Sequence, residues 1–248
     1  MGSISLKDIS TDAPKELDKE DVKKQTADIL TELDELQNVL YAQGKYSVLV
    51  VIQGLDASGK DGAIRDVFGQ MNPQGVRVSS FKVPTEEELA HDFLWRIHRE
   101  VPKKGMIQIF NRSHYEDILV TRVHRMIDDE LARKRMEAIN NFEELLETHN
   151  NTRILKFYLH VSAKEQQERL QERLHDPRKQ WKYNEKDFVE AALRDSYYQA
   201  YEDCFEHCNK VPWTIVPSDQ NWYKEYILAS SLKDLLTSLD LQYPGVKK

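Results

Sequence analysis

No run of apolar residues in this 248-residue chain approaches the roughly 18 needed to cross a bilayer. The opening MGSISLKD has neither the basic cluster nor the hydrophobic stretch of a secretory leader, so a cytoplasmic location with no membrane partner is expected. Gly2 stands where an N-myristoyl acceptor would stand, but that signal needs Ser or Thr at the sixth position, which is Leu6. Cysteine is scarce: Cys204 and Cys208 are the only two, one helical turn apart with His207 between them. Two thiols build no disulfide framework, and a zinc site needs about four ligands, so helix packing is their expected role. The sequons at Asn111 and Asn150 have no secretion signal to serve them. Basic residues are outnumbered, 35 against 42 acidic, which excludes a general nucleic-acid coat. Any polyanion must therefore meet a local basic patch.

There is also no internal repeat, low-complexity tract or Gly/Ser linker, so one domain over 1–248 is expected. Within it, 1–45 forms a helical extension. There Val22, Ile29, Leu33, Leu36 and Leu40 recur at helical spacing from Lys15 to Gln43, and Gly44 supplies a stop. Short β-branched runs at 46–53, 76–83, 105–110, 153–161 and 213–217 read as buried strands alternating with helices. That pattern predicts a three-layer α/β/α fold around a parallel sheet of about five strands, with ligands at the carboxyl ends of the strands.

One stretch carries specific chemistry. In VVIQGLDASGKDGAI, Gly54 and Gly59 bracket four residues and Lys60 follows, between a predicted strand and a predicted helix. The loop from Gly54 through Ala57, Ser58 and Gly59 to Gly62 then turns backbone N–H groups onto a phosphate, and Lys60 reaches the terminal phosphates. Phosphate loops usually carry Ser or Thr after the lysine; here it is Asp61, with a second carboxylate at Asp56. Carboxylates so close to phosphates repel them unless a divalent cation intervenes, which points to Mg²⁺, with Mn²⁺ as a substitute, at Asp56 and Asp61. Asp61 also suits the first turn of a helix for its charge alone.

These motifs resemble the polyphosphate kinase 2 family. GLDASGKDGAI is similar to its Walker A segment, in which aspartate replaces the hydroxyl, and GMIQIFNRSHYEDILVTRVH (105–124) to its Walker B segment. RLHDPRKQWKYNEKD resembles its basic lid, and residues 197–223 the closing block around a Pro-Trp pair, so the likeness runs from about Tyr46 to Tyr226. The resemblance implies a P-loop kinase fold, Mg²⁺ dependence and reversible transfer of a terminal phosphoryl group from inorganic polyphosphate to an adenine or guanine nucleotide. It also implies a homodimer or homotetramer. The NRSHYED form resembles the family's third class, associated with AMP as well as ADP, and marks Glu116 as a nucleotide-selectivity residue. Many members have aspartate where this chain has Asn111.

The resemblance makes Asp56, Lys60, Asp61 and Arg112 the expected catalytic set. Arg112 follows a strand, where its planar fork faces the phosphates. His114 either touches a phosphate or packs, and Arg122 lies farther along the same helix. Lys82, which ends the second strand, resembles a substrate-binding lysine, whereas Arg96 suits an ordinary helical ion pair with Glu100. In the lid, 168–187, the cations Arg169, Arg173, Arg178, Lys179 and Lys182 are expected to close over polyphosphate and steady the transferring group. Two rivals remain: an ATP-dependent nucleotide kinase similar to thymidylate kinase, and a non-catalytic phosphate-binding regulatory protein.

Overall fold

A computed structural model describes residues 4–246; Gly2 lies outside them. The first long helix, α1 (Lys19–Gln43), starts where the Asp18 carboxylate accepts from the N–H groups of Glu20 and Asp21, and ends at Gly44, left-handed at φ 61°. That cap places its start four residues later than periodicity alone predicts. Strand β1 (Ser47–Gly54) leads through the glycine loop into α2 (Lys60–Ala63), which widens into a π-helical turn, Ile64–Phe68. Then follow β2 (Val76–Ser80), α3 (Glu86–Leu89), α4 (Trp95–His98), β3 (Ile107–Asn111), α5 (Glu116–Val123) and α6 (Asp129–Asn150). The chain continues as β4 (Thr152–His160), α7 (Ala163–His175), α8 (Lys186–Ala192), α9 (Arg194–His207), β5 (Trp213–Pro217) and α10 (Asn221–Thr237). The second strand stops short of the predicted Val83, which is 90% exposed before Pro84.

All five strands are parallel, in the order β2-β3-β1-β4-β5. The alternation of β1 builds the three layers. Leu49 and Val51 point into a core with Tyr115, Ile118, Phe142 and Phe205, from α6, α9 and the start of α5. Val48, Val50 and Ile52 point into a second core with Leu33, Leu40, Val67, Leu228 and Leu232, from α1, the π turn and α10. Each such side chain contributes roughly 1.5–3 kcal/mol when fully buried, which makes β1 the anchor of the fold. Its neighbours β3 and β4 both come later in sequence, so the connections diverge at its carboxyl end and leave a crevice there.

One feature of the first core is polar. Lys156 of β4 and Glu143 of α6, both fully buried, pair at 2.8 Å; the Lys156 ammonium also donates to Tyr115 Oη and the Cys208 carbonyl. Tyr115 Oη donates to Glu143, and His114 Nε2 lies 3.2 Å from the same carboxylate. Cys204 and Cys208 are free and buried against this cluster. No helix among the described residues is long and apolar enough to cross a membrane.

Candidate active site

The loop after β1 is built on backbone that few side chains tolerate. Gly54 has φ 152°, and a Cβ there would lie 2.7 Å from Ser58 Oγ and 2.8 Å from the Leu159 carbonyl oxygen. Ala57, though not glycine, is left-handed at φ 60°, a strain maintained only where the surroundings enforce it. Two side chains from α7 enforce it here. Gln166 donates to the Asp56 carbonyl, and Arg169 donates to the carbonyls of Ala57 and Ser58 on one side and of Ser218 and Asp219 on the other. Ser58 Oγ is buried with no hydrogen-bond partner.

Lys60, at the start of α2, is 9% exposed, and its ammonium donates to the carbonyls of Gly54 (2.7 Å) and Leu55 (3.0 Å). Burial, then the charge of Arg112, lowers its pKa from 10.5 to about 8. Arg112 leaves β3 in a left-handed turn, φ 62°, that swings its guanidinium across the crevice to Asp56 (2.6 Å) and Glu116 (3.2 Å). Burial opposes its charge, but Glu116 and Asp56 outweigh burial and push its pKa further up. Asp61 accepts from Asn111 Nδ2 at 2.9 Å and from the lid residue Lys182 at 2.7 Å. Burial would raise the Asp61 pKa; Lys182 and Asn111 hold it below the usual carboxylate range. Asp56, Lys60, Asp61, Asn111, Arg112, Glu116 and Lys182 thus meet in one crevice. A partly open pocket runs from Arg112 past Leu119 and Val120 to Glu190, Tyr197 and Tyr201.

Other expected site residues stand elsewhere. His114 faces away from the loop, fully buried between Tyr115, Phe142 and Glu143, so it packs rather than meeting a phosphate. Arg122 is engaged by Asp129 and Asp203 at 2.9 and 2.7 Å and belongs to an ion-pair cluster joining α5, α6 and α9. Arg169 is a brace for the loop's outer carbonyls, its five N–H groups directed at these and at Glu165, and is not a free lid cation. Arg173 pairs with Asp187 and ties α7 to α8; Lys179 pairs with Glu172, and the exposed Arg178 with Asp176. Arg96 pairs with Asp117 at 3.2 Å instead of Glu100 and donates to the Lys82 carbonyl, while the Lys82 side chain is exposed. Gly62 sits in α2, half-buried. Sequence reasoning missed Gln53, whose buried amide joins Ser113 and Tyr201 beneath the Arg112 turn, and Lys224, described below. Gln53 stands just before the first glycine of the G-x-x-x-x-G-K pattern and Lys224 just after the closing block, so neither occupies a position that a motif singles out.

The described residues contain no cluster of three or more His, Cys, Asp or Glu that could hold a metal alone. The two carboxylates of the glycine loop, Asp61 against the Asn111 amide and Asp56 against Arg112, fit Mg²⁺, which takes one or two carboxylates and fills its shell from phosphates and water.

The chain is similar to known proteins along most of its length. The family model for polyphosphate kinase 2 matches residues 16–244. The chain is 49% identical to an AMP/ADP-polyphosphate phosphotransferase of Meiothermus ruber over 86% of its own length and 80% of the relative's. It is 41% identical to an ADP-polyphosphate phosphotransferase of Rhodopseudomonas palustris, covering 86% and 78%. The crystal structure of polyphosphate kinase 2 from Arthrobacter aurescens superposes with a TM-score of 0.95 at 40% identity, over 100% of this chain and 90% of that one. With a match over nearly its whole length, and with a glycine loop, Asp61 and Arg112 meeting at the carboxyl edge of a parallel sheet, the chain belongs to the polyphosphate kinase 2 family.

Proposed function

We propose that this protein transfers the terminal phosphoryl group of inorganic polyphosphate to AMP or ADP. The observation that carries the reading is the convergence of Lys60, Arg112 and Lys182 on one left-handed glycine loop. A phosphoryl acceptor that is itself a phosphate is already ionised near neutral pH, so the reaction needs no strong general base. An oxygen of the nucleotide's terminal phosphate attacks the end phosphorus of polyphosphate. The bridging P–O bond breaks, and the shortened chain leaves with the electron pair. The work left to the protein is to align two polyanions and absorb charge, which buried cations do best because they are already in place. Lys60 and the loop N–H groups hold the transferring group, Arg112 bridges towards the acceptor, and Lys182 brings the lid to the loop. Asp56 and Asp61, assisted by Asn111, would hold Mg²⁺, which when bound neutralises phosphate charge. The relatives named for AMP and ADP support the choice of acceptor.

Incubating the protein with long-chain polyphosphate, Mg²⁺ and AMP or ADP, with no ATP present, is expected to yield ADP and ATP. Absence of product from AMP, ADP, GMP and GDP would favour an ATP-dependent nucleotide kinase.

Asn111→Asp tests the metal assignment. Asn111 donates to Asp61 at 2.9 Å, so a carboxylate in its place sets two negative charges side by side. With Mg²⁺ absent they repel, and the melting temperature should fall. With Mg²⁺ present the extra charge should lower the concentration for half-maximal rate by roughly 3- to 10-fold. An unchanged Mg²⁺ requirement would place the metal elsewhere.

A further inference from the structure

Helix α10 brings a second buried lysine to the phosphate loop. Lys224 is 1% exposed, and its ammonium donates to Asn221 Oδ1 at 2.8 Å, one turn earlier, and lies 3.4 Å from the Gly59 carbonyl oxygen. No ion pair reaches it among the described residues. The charged groups that act on it are Arg169 and Arg65, which oppose its charge, and Glu225 and Asp66, which favour it. A buried ammonium with two neutral acceptors for its three protons is unfavourable, and methionine would fill the same space without that penalty. Packing therefore does not explain why the residue is charged.

The position of the ammonium does. A Cβ on residue 59 would lie 2.5 Å from Lys224 Nζ, so the lysine sits against the one face of Gly59 that only glycine leaves open. Gly59 is left-handed at φ 96° and is the last residue before α2, whose first N–H groups have no acceptor within the helix. Lys60 folds back onto the start of the loop, at Gly54 and Leu55, while Lys224 stands behind its end. Resting on the reading of this loop as a phosphate site, we propose that Lys224 is a positioning residue: its buried positive charge, acting through Gly59, holds the loop in its phosphate-binding turn and tightens polyanion binding without touching substrate. Burial, followed by Arg169, lowers its pKa to about 8, as expected for a cation whose counter-charge comes from outside the protein.

The test uses the full chain, tripolyphosphate with Mg²⁺ in a titration calorimeter, and steady-state kinetics with long-chain polyphosphate. Lys224→Met should melt no lower than the unaltered protein, bind tripolyphosphate about 10- to 100-fold more weakly and raise KM in proportion, with kcat changed less than about 3-fold. Lys224→Gln, which keeps a hydrogen-bond donor but no charge, should behave like Lys224→Met, and Lys224→Arg should recover most of the binding. Wild-type binding by the Gln variant would show that charge is not what matters and overturn the proposal. So would a Met variant with a lower melting temperature and unchanged affinity, which marks a lysine needed only for packing. If the unaltered chain binds no tripolyphosphate, the phosphate-loop reading fails and this inference with it; equal binding by the unaltered chain and Lys224→Met defeats this inference alone.

Discussion

Replacing Lys60 with methionine is expected to lower polyphosphate-dependent turnover at least about 10²- to 10³-fold while leaving the fold as stable as before, or more so. The two effects share one cause. Burial drops the Lys60 pKa from 10.5 to about 8, so the folded protein holds a protonated lysine at a cost of about 3 kcal/mol near neutral pH. That cost is present in full below pH 8, where folded and unfolded chains are both protonated. Between pH 8 and 10.5 the unfolded chain still binds a proton that the folded chain has released, so stability rises with pH, and above 10.5 the cost is gone. Methionine removes the cost and loses two hydrogen bonds, to the carbonyls of Gly54 and Leu55, the second of which still accepts from the Ser58 N–H. Thermal unfolding in EDTA should therefore show the variant melting at or above the original at pH 7, with any advantage closing towards pH 10.5. A variant that melts clearly lower at pH 7 would show that the lysine holds the loop together rather than being tolerated there for its charge.

The same distinction between what a residue is and what surrounds it explains how far the sequence could be read. The strands were legible because β-branched runs such as Val48–Ile52 have few other uses, and the loop was legible because its glycines mark φ values that other residues avoid. Arg112 could be placed because it directly follows a strand. His114 could not, since the left-handed turn at Arg112 breaks the strand's alternation and sends residue 114 into the core. Arg122 and Arg169 read as substrate-facing cations because, beyond Asp129 and Glu165 nearby, their other partners lie far away in the chain. Asp203 reaches the first from α9, and the second is engaged mainly by backbone carbonyls, which every residue carries and which no sequence pattern announces. Glu143 looks like any solvated acid of a charged helix. Only the packing of α6 on β4 shows that it is fully buried.

That burial makes Glu143 and Lys156 the site of the largest expected loss of stability. Burial alone would keep the Glu143 proton on, but His114 and Lys156 hold its pKa below the ordinary value, so the group is ionised within the core. Its contribution is present above the unfolded pKa near 4.5 and is lost as pH falls through the lower folded value. Lys156→Met leaves that carboxylate facing only His114 and Tyr115. Breaking a buried pair from one side costs about 3–5 kcal/mol, a large share of the roughly 5–15 kcal/mol that keeps a domain folded. At about 2–4 °C per kcal/mol for a chain of this size, the melting temperature should drop by roughly 6–20 °C. Adding Glu143→Leu to Lys156→Met removes the stranded charge, and the double variant should regain part of the loss, with a coupling of about 2 kcal/mol or more in the double-mutant cycle. Recovery will be incomplete because Tyr115 Oη then loses its acceptor. Equal, additive losses would mean that the two charges are independently solvated and that the network does not act as a unit. Because Tyr115 begins the helix that follows the Arg112 turn, the single variant should also lose turnover beyond its unfolded fraction, measured well below its melting point. The buried pair is then felt at the crevice through Tyr115, whose backbone N–H reaches the same Ser113 Oγ that Gln53 holds under the turn.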